Sequence, residues 1–301
     1  MRLVLGDIYD GMRLRYVVED EPLGTAGPLR MAHDEGLLAE RFLVLNGDVL
    51  TDIDLTAQLA QHERTGAAAT LALYPVDDTA SYGVVPIDAE SRVEAFLEKS
   101  EAEAPTNLIN AGAYVVERTV VESIPPGRAV SFEREVFPGL VGNGLHGYPT
   151  EGYWIDIGTP ERYLEATWDL LAGRVASALP PRDVTGSLIY ANSLVAGAHI
   201  GPQSVLGRHC SVGTDARVER AVLHDRVMVG EDARIVESVL AERVRVGAGS
   251  QLARGTMVGE GASVGRETQL AEGVRIDPGA SVPDGARIDA GAHVRAGEGV
   301  A

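Results

Sequence analysis

The stretch from Val246 to Val294 reads VGAGSQ LARGTM VGEGAS VGRETQ LAEGVR IDPGAS VPDGAR IDAGAH V when it is divided into blocks of six. Every block begins with valine, leucine or isoleucine. A period of six matches neither the 3.6 residues of an amphipathic helix nor the simple alternation of a strand. It predicts short strands joined by tight turns, in which each coil stacks its apolar residue on the coil below.

The same period continues towards the N terminus of the chain. There, the predicted inward positions are Leu188, Leu194, Ile200, Leu206, Val212, Val218, Val229 and Ile235. Two spacings, from Val218 to Val229 and from Ile235 to Val246, are one residue short of two repeats. We interpret them as irregular coils within one continuous repeat region.

This pattern resembles the hexapeptide-repeat family, whose members form left-handed triangular parallel β-helices that commonly self-associate. The resemblance implies a fold and a homo-oligomer formed through the β-helix, but it implies no particular chemistry. Residues 173–187 (GRVASALPPRDVTGS) are rich in proline, glycine and small residues and break the repeat. We therefore expect domains at 1–172 and 188–301 with a linker at 173–187 between them.

The first half of the chain predicts an α/β sheet. A buried strand at Arg41–Leu45 ends at Asn46-Gly47-Asp48, an amphipathic helix follows at Asp54–Arg64, and the next strand is expected at Ala67–Tyr74. Alternation of strands and helices is typical of α/β proteins. Ligands in such sheets bind beyond the carboxyl ends of the strands, so we expect Asp48 to face a binding crevice.

Composition narrows the choice of partner and compartment. The formal net charge of -18 opposes binding to nucleic acid or to an anionic membrane surface. The sequence has no apolar run of roughly 18 residues, and MRLVLGDIYDGMR at its start is too acidic for a signal peptide, so we expect a cytoplasmic protein. The single cysteine, Cys210, is expected to be a small buried residue. Lys99 is the only lysine, which suggests a position where a compact ammonium contacts phosphate.

Two aspartates are candidate metal ligands. Asp48 in LNGDVL and Asp156 in YWIDIGTPERY each follow a strand-like segment and lie close to glycine. Mg²⁺ takes one or two protein carboxylates and completes its coordination with water and phosphate oxygens. The alternative is structural: Asp48 would be a turn residue, and Asp156 an acid near a helix that starts at Thr159-Pro160.

Three further segments could contact a ligand. Glu98-Lys99 follows the strand-like Arg92–Leu97, and Asn110-Ala111-Gly112 opens a strand expected at Ala113–Val116. The glycine-rich segment Glu21–Pro28 precedes a helix expected at Leu29–Leu38. Such a loop can bring its backbone close to a flat or phosphorylated ligand, although as a lone glycine motif it is a weak signal.

The order of these segments is more specific than any one of them. EPLGTAGPL, NGDVL, YGVV, FLEK, NLINAGAYV, REVFP and YWIDIGTPERY follow one another between Gly6 and Tyr163. In that order they resemble the motifs of the nucleoside-diphosphate-sugar pyrophosphorylases. The resemblance implies a Rossmann-like nucleotidyltransferase sheet before the β-helix. It also implies a nucleoside triphosphate and a sugar 1-phosphate as substrates, with release of pyrophosphate.

The resemblance also implies roles for individual residues. Asp48 and Asp156 would hold Mg²⁺, and together with Lys99, which would contact the sugar 1-phosphate, they would be the catalytic residues. The implied nucleotide-binding residues are Glu21, Leu23, Gly24, Thr25, Gly47 and Asp48, with Glu21 near the base edge. The implied sugar-binding residues are Gly83, Glu98, Lys99 and Asn110.

The family's opening motif, GGxGTRLxPLTxxxPK, does not occur in this sequence, and Met1 aligns just before the base-pocket loop. We expect the true start to lie upstream; a non-catalytic homologue is the alternative. The sequence motifs NLINAGAYV and VSFEREVFP favour GTP and mannose 1-phosphate as the substrates. ATP or dTTP with glucose 1-phosphate stays open as an alternative. A further alternative is an acyltransferase with its histidine base on the β-helix, for which the candidates are His199, His209, His224 and His293.

Overall fold

The computed structural model describes residues 5–97, 104–179, 186–195 and 197–297. Contacts between residues divide the chain into two units. Unit 1 contains the chain up to Val49 and the segment Ile53–Trp154. Unit 2 contains Leu50–Asp52 and the chain from Ile155 onwards.

The sheet of unit 1 has four strands. A hairpin of β1 (Ile8–Tyr9) and β2 (Met12–Arg13) precedes it in the chain. The sheet consists of β3 (Arg41–Leu45), β5 (Ala69–Pro75), β6 (Leu108–Glu117) and β7 (Leu145–Pro149), in the order β3-β6-β5-β7. Strand β6 is antiparallel to β3 and β5, whereas β5 and β7 are parallel. The carboxyl ends of β3, β5 and β7 therefore lie at the same edge as the amino end of β6.

Two more strands, β4 (Val49–Thr51) and β8 (Trp154–Asp156), form a separate two-stranded sheet. The strand predicted at Arg41–Leu45 is confirmed at both ends. The strand expected at Ala113–Val116 is longer than predicted, and the one expected at Ala67–Tyr74 begins at Ala69. Arg92–Leu97 forms no continuous strand and makes only isolated bridges, such as that between Val84 and Leu97.

Short helices cover the sheet of unit 1. They are α1 (Gly27–Asp34), α2 (Leu55–Thr65), α3 (Arg118–Glu122), a π-helix at Phe132–Val136 and α4 (Phe137–Leu140). The carboxylate of Asp54 caps α2 by accepting the Ala57 N–H at 2.9 Å, which is why the helix begins one residue later than predicted. Helix α1 begins and ends earlier than the predicted Leu29–Leu38, because Pro28 fits the first turn and Gly36 has a φ of +70°.

Unit 2 contains one long helix, α5 (Pro160–Ala172), and a parallel β-helix. Thr159 caps α5, as the Thr159-Pro160 signal predicts, and Gly173 ends it with a φ of +75°. The three sheets of the β-helix are built from two- and three-residue strands. The first sheet contains Leu188–Ile189, Val205–Leu206, Val222–Leu223, Val239–Leu240, Met257–Val258, Arg275–Ile276 and His293–Val294.

The other two sheets have six strands each. The second contains Leu194–Val195, Ser211–Val212, Met228–Val229, Arg245–Val246, Ser263–Val264 and Ser281–Val282. The third contains His199–Ile200, Arg217–Glu219, Arg234–Val236, Gln251–Leu252, Gln269–Leu270 and Arg287–Ile288. The predicted parallel β-helix is thus confirmed, with about six turns.

The register explains the two short spacings in the repeat. Val205 pairs with Leu188, 17 residues earlier, whereas Met257 pairs with Val239, 18 residues earlier. The first turns are therefore one residue shorter than three full repeats. Leu223 and Leu240, both with no exposed surface, fill the inward positions that the two short spacings left out.

The predicted inward positions Leu188 and Leu194 are wrong by one residue. Leu194 is 69% exposed, and its neighbour Val195 packs against the interior of the β-helix. Ile189, rather than Leu188, pairs with the inward-facing Leu206. Since side chains alternate between the faces of a strand, an error of one residue exchanges inside and outside.

Leu188 is nevertheless buried, and it pairs with Val205 at the start of an outward-facing apolar column on the first sheet. Helix α5 covers most of this column: Leu164 packs with Val222 and Val239. The Trp168 Nε1–H donates to the backbone oxygen of Arg220 at 3.1 Å, and the Arg220 guanidinium lies 3.6 Å from the centre of the indole. Across the segments that the structure describes, no helix is both long and apolar enough to span a membrane.

Candidate functional site

Asp48 lies in the turn that follows β3, where the sequence predicted it. The Asn46 N–H donates to the Gly112 oxygen at 2.8 Å, which ties this turn to β6. Gly112 has a φ of +73°, and a Cβ there would lie 2.8 Å from the Asn46 side-chain nitrogen. A side chain at position 112 would therefore displace the turn. Asp48 is exposed at the sheet edge formed by the end of β3 and the start of β6.

The structure brings two predicted sugar-binding residues, Gly83 and Asn110, together at the same edge. The Asn110 N–H donates to the Gly83 oxygen at 3.0 Å. A Cβ at Gly83 would lie 3.1 Å from the ring of Phe96, so glycine allows the chain to pass close to that ring. The Asn110 side-chain amide donates to the Tyr114 hydroxyl at 2.9 Å, which orients the amide.

The environment of Tyr114 keeps its hydroxyl protonated. The side chain is 1% exposed, and this burial raises the pKa of the phenol above its usual value. The hydrogen bond from Asn110 opposes the rise, and the nearby carboxylate of Glu133 adds to it. A neutral phenol at this position can accept the Asn110 amide hydrogen without introducing a charge beneath the site.

The predicted nucleotide-binding loop, Glu21–Pro28, is held against the segment around Val130. The Val130 N–H donates to the Leu23 oxygen at 2.9 Å, and the Ala26 N–H donates to the Val130 oxygen at 2.9 Å. Gly24 has a φ of +75°, and a Cβ there would lie 2.5 Å from the Val130 oxygen. Glycine at this position is therefore required by both backbone conformation and close approach.

Sequence reasoning missed two carboxylates that hold this loop. Glu19 accepts the Leu23 N–H at 2.8 Å, whereas Glu21 is exposed. Glu133 accepts the Thr25 hydroxyl at 2.7 Å, and Thr25 in turn accepts the Phe132 N–H at 2.8 Å. Glu19 could have been recognised as an acid four residues before Leu23, but the contact between Thr25 and Glu133 joins positions 108 residues apart.

Asp156 lies in unit 2, just before α5. One carboxylate oxygen accepts the Gly158 N–H at 2.8 Å, and the other lies 3.6 Å from a guanidinium nitrogen of Arg162. The side chain is 36% exposed. The structural role considered for Asp156 is therefore present, and it leaves the carboxylate accessible. Carboxylates with exposed oxygens, such as Asp48 and Asp156, are of the kind that a hard divalent cation binds.

Glu98 and Lys99 lie outside the described residues. The chain just before them is placed by Leu97, whose N–H donates to the Val84 oxygen at 2.9 Å and whose oxygen accepts the Val84 N–H at 2.9 Å. Val84 follows Gly83 directly, so Leu97 is bonded to the residue next to Gly83. Among the residues with a described placement, no three or more histidines, cysteines or acids are grouped so that they could bind a metal.

The β-helix histidines do not form a recognisable acyltransferase site. His293 pairs with Asp277 at 2.6 Å, and His224 lies 3.5 Å from the Tyr163 hydroxyl. His199 is on an outward-facing strand position and His209 is at a corner. Cys210 is 1% exposed and its burial raises the pKa of the thiol, in agreement with the prediction of a small buried residue.

Comparison with known proteins identifies the class to which this chain belongs. The family model described as "Nucleotidyl transferase" matches residues 4–173, and the model described as "GMPPB C-terminal domain" matches residues 188–276. The chain belongs to the nucleotidyl transferase family, as the order of its motifs predicted.

Two curated relatives and one solved structure show what the chain is similar to. Mannose-1-phosphate guanylyltransferase of Mycobacterium tuberculosis is 41% identical over 222 residues, which are 72% of this chain and 61% of that protein. Mannose-1-phosphate guanyltransferase of Schizosaccharomyces pombe is 36% identical over 205 residues, 66% of this chain and 54% of that protein. HddC from Yersinia pseudotuberculosis, a solved structure, matches with a TM-score of 0.44 and 31% identity, covering 50% of this chain and 64% of that chain. This chain spans 54–61% of the length of the curated relatives it matches.

Proposed function

We propose that this chain is a sugar-1-phosphate nucleotidyltransferase that makes GDP-mannose from GTP and mannose 1-phosphate and releases pyrophosphate. The observation that carries the proposal is the family match over residues 4–173, with relatives named for this reaction. The geometry of unit 1 supports it, since Gly83 and Asn110 meet at the edge beyond β3 where Asp48 is exposed.

In the proposed reaction, an anionic oxygen of mannose 1-phosphate forms a bond to the α-phosphorus of GTP. The bond from that phosphorus to the β-phosphate oxygen breaks in line, and pyrophosphate leaves with the electron pair. The nucleophile is already an anion, so no covalent enzyme intermediate is required. The protein mainly has to hold two mutually repelling phosphates in line and neutralise their charge.

We assign the metal, the sugar phosphate, the sugar and the nucleotide to different residues. Asp48 and Asp156 would hold Mg²⁺, which supplies charge neutralisation at the phosphates when bound. Lys99 would place a point charge on the sugar phosphate. Contacts to the sugar hydroxyls are assigned to Gly83, Glu98 and Asn110, and contacts to the nucleotide to Glu21, Leu23, Gly24, Thr25, Gly47 and Asp48. Thr25 would act mainly through its backbone, because its hydroxyl is engaged by Glu133 and Phe132.

The proposed organisation assigns residues 1–172 to catalysis, 173–187 to a linker and 188–301 to the β-helix, which would join subunits of a cytoplasmic homo-oligomer. Helix α5 supports an auxiliary role for the β-helix. It carries Arg162 near Asp156 at its start and packs on the first sheet through Trp168 and Leu164.

Pyrophosphate release from the full chain tests the proposal. GTP, ATP and dTTP are each supplied with mannose 1-phosphate or glucose 1-phosphate in Mg²⁺ buffer, and release is expected to be fastest with GTP and mannose 1-phosphate. Asp156→Asn should abolish release, because the amide loses the charge that binds the cation.

A matched control is Asp54→Asn, which makes the same chemical change but keeps an equally good cap on α2. We expect this variant to keep the activity of the unchanged protein. Undiminished release by Asp156→Asn would refute the metal assignment. Faster release with another pair of substrates would refute the choice of GTP and mannose 1-phosphate, and no release with any pair would refute catalysis by this chain.

A further inference from the structure

Glu133 is the centre of a compact hydrogen-bonded cluster in unit 1. Its Oε2 accepts two hydroxyl hydrogens, from Thr25 at 2.7 Å and from Ser131 at 2.7 Å. The Thr25 oxygen accepts the Phe132 N–H at 2.8 Å, so the threonine hydroxyl both donates and accepts. Hydrogen bonds to a charged acceptor are stronger than neutral ones. This cluster ties the loop Glu21–Pro28 to the π-helix at Phe132–Val136.

The π-helix that contacts this loop is fixed by buried aromatic side chains and by a capping residue. Phe132 and Phe137 are 1% and 0% exposed, and their rings stack with centroids 4.9 Å apart. Ser131 accepts the Arg134 N–H at 3.2 Å and so caps the first turn. Insertions of π-helix occur frequently at functional sites, because one extra residue redirects neighbouring side chains. Here, the π-helix turns the Glu133 carboxylate towards Thr25.

The same carboxylate lies close to the proposed sugar site. Its charge contributes to raising the pKa of Tyr114, whose hydroxyl receives the Asn110 amide hydrogen at 2.9 Å. The ring of Tyr114 packs edge-on against Phe137, with centroids 5.0 Å apart. The loop assigned to the nucleotide and the residue assigned to the sugar thus rest on one packed group of side chains.

We propose that Glu133 is a positioning residue for nucleotide binding. It holds the Thr25 hydroxyl away from the ligand and so presents the backbone of Leu23–Thr25 in the conformation that receives the base. This inference rests on the proposed function, because it takes the loop to be the nucleotide site. The requirement is for an acceptor of two hydroxyl hydrogens, which a neutral amide oxygen also satisfies.

Two substitutions separate this role from a general effect of charge. Glu133→Ala removes the acceptor, and it should weaken binding of GTP in Mg²⁺ buffer by about tenfold, the effect of losing one charge-assisted hydrogen bond. Glu133→Gln keeps an acceptor oxygen, so we expect GTP affinity close to that of the unchanged protein. Isothermal titration of the full chain with GTP, and separately with mannose 1-phosphate, measures both affinities.

The matched control is Glu135→Ala. Glu135 lies in the same π-helix, pairs with Arg128 at 2.5 Å and accepts the Ser131 N–H at 3.4 Å. The substitution therefore removes the same charge and one long backbone contact without touching Thr25 or the Ser131 hydroxyl. It should leave GTP affinity unchanged. Hydrogen–deuterium exchange of the free protein provides a second measurement, independent of any ligand. The amides of residues 23–27 should exchange faster in Glu133→Ala than in Glu133→Gln or Glu135→Ala.

Each outcome decides the proposal. Faster exchange in residues 23–27 together with weaker GTP binding in Glu133→Ala, both restored by Glu133→Gln, supports it. Unchanged exchange in Glu133→Ala would show that the carboxylate does not hold the loop. Faster exchange with unchanged GTP affinity, or an equal loss of mannose 1-phosphate affinity, would refute a role specific to the nucleotide. If the unchanged protein binds no GTP, the proposed function fails and Glu133 is left as a structural tether only.

Discussion

The register of the β-helix predicts a large difference between two leucines that the six-residue repeat alone treats as equivalent. Leu240 has no exposed surface and lies inside the β-helix, whereas Leu194 is 69% exposed on the outer surface of the second sheet. Strict counting in sixes would place Leu194 inside and would leave Leu240 out of the inward positions. Replacing each leucine with alanine therefore tests the register directly.

The expected loss for Leu240→Ala follows from its surroundings. Truncation removes three buried carbon atoms, for which the transfer term is about 2.4 kcal/mol at roughly 0.8 kcal/mol per methylene. Leu240 pairs with Val258 on the following turn and stacks on Leu223 of the preceding turn. Backbone pairing on both sides hinders collapse around the cavity, so we expect a total loss of about 3–4 kcal/mol. Leu194→Ala should change stability by no more than about 0.5 kcal/mol.

Urea unfolding followed by fluorescence of Trp168 measures this difference. The chain has two tryptophans. Trp154 belongs to unit 1, and Trp168 reports on unit 2 because it packs with Arg220 on the β-helix. Both alanine variants are therefore made in a Trp154→Phe background. Equal losses of unfolding free energy in the two variants, or a larger loss for Leu194→Ala, would refute the register and the assignment of Leu240 to the interior.

Two further predictions concern unit 1. In thermal unfolding, Gly24→Ala should destabilise the protein by about 1–3 kcal/mol more than Gly127→Ala. Both glycines have a positive φ, but only at Gly24 would a Cβ lie 2.5 Å from a backbone atom. Equal losses of stability in the two variants would contradict this close approach. His62 is buried, which lowers its pKa below 6.5 despite the opposing carboxylate of Glu117. The unfolded chain therefore takes up the proton first, so stability should be fully present above pH about 6.5 and fall as the pH drops below it. Urea unfolding followed by Trp154 fluorescence in a Trp168→Phe background should show this slope, and His62→Gln should flatten it; an unchanged slope would assign the titration to another group.

Local features were predictable wherever a short segment carries its own physical reason. The six-residue spacing of apolar residues predicted a parallel β-helix, because stacked coils need an apolar residue at each inward position. Arg41–Leu45 was predicted as a strand from its apolar run, and α5 was predicted to start at Thr159-Pro160 from its capping residues. Each depends on neighbours within a few positions of the chain.

Tertiary structure decided which side of each element faces inwards and which distant residues meet. The turns of 17 residues place Leu223 and Leu240 inside and Leu194 outside, and only pairing between turns reveals this. The antiparallel direction of β6 brings its amino end, with Asn110, to the edge beyond β3.

The proposed nucleotide-binding loop shows the same limit of prediction from sequence, here for the contacts of a side chain. The sequence identified Thr25 as a candidate ligand-binding residue, while the fold directs its hydroxyl to Glu133, 108 positions away. The short-range periodicity of a sequence reports the backbone conformation that each segment prefers. Contacts between remote segments depend on strand register and direction, and these are fixed only when the segments pack together.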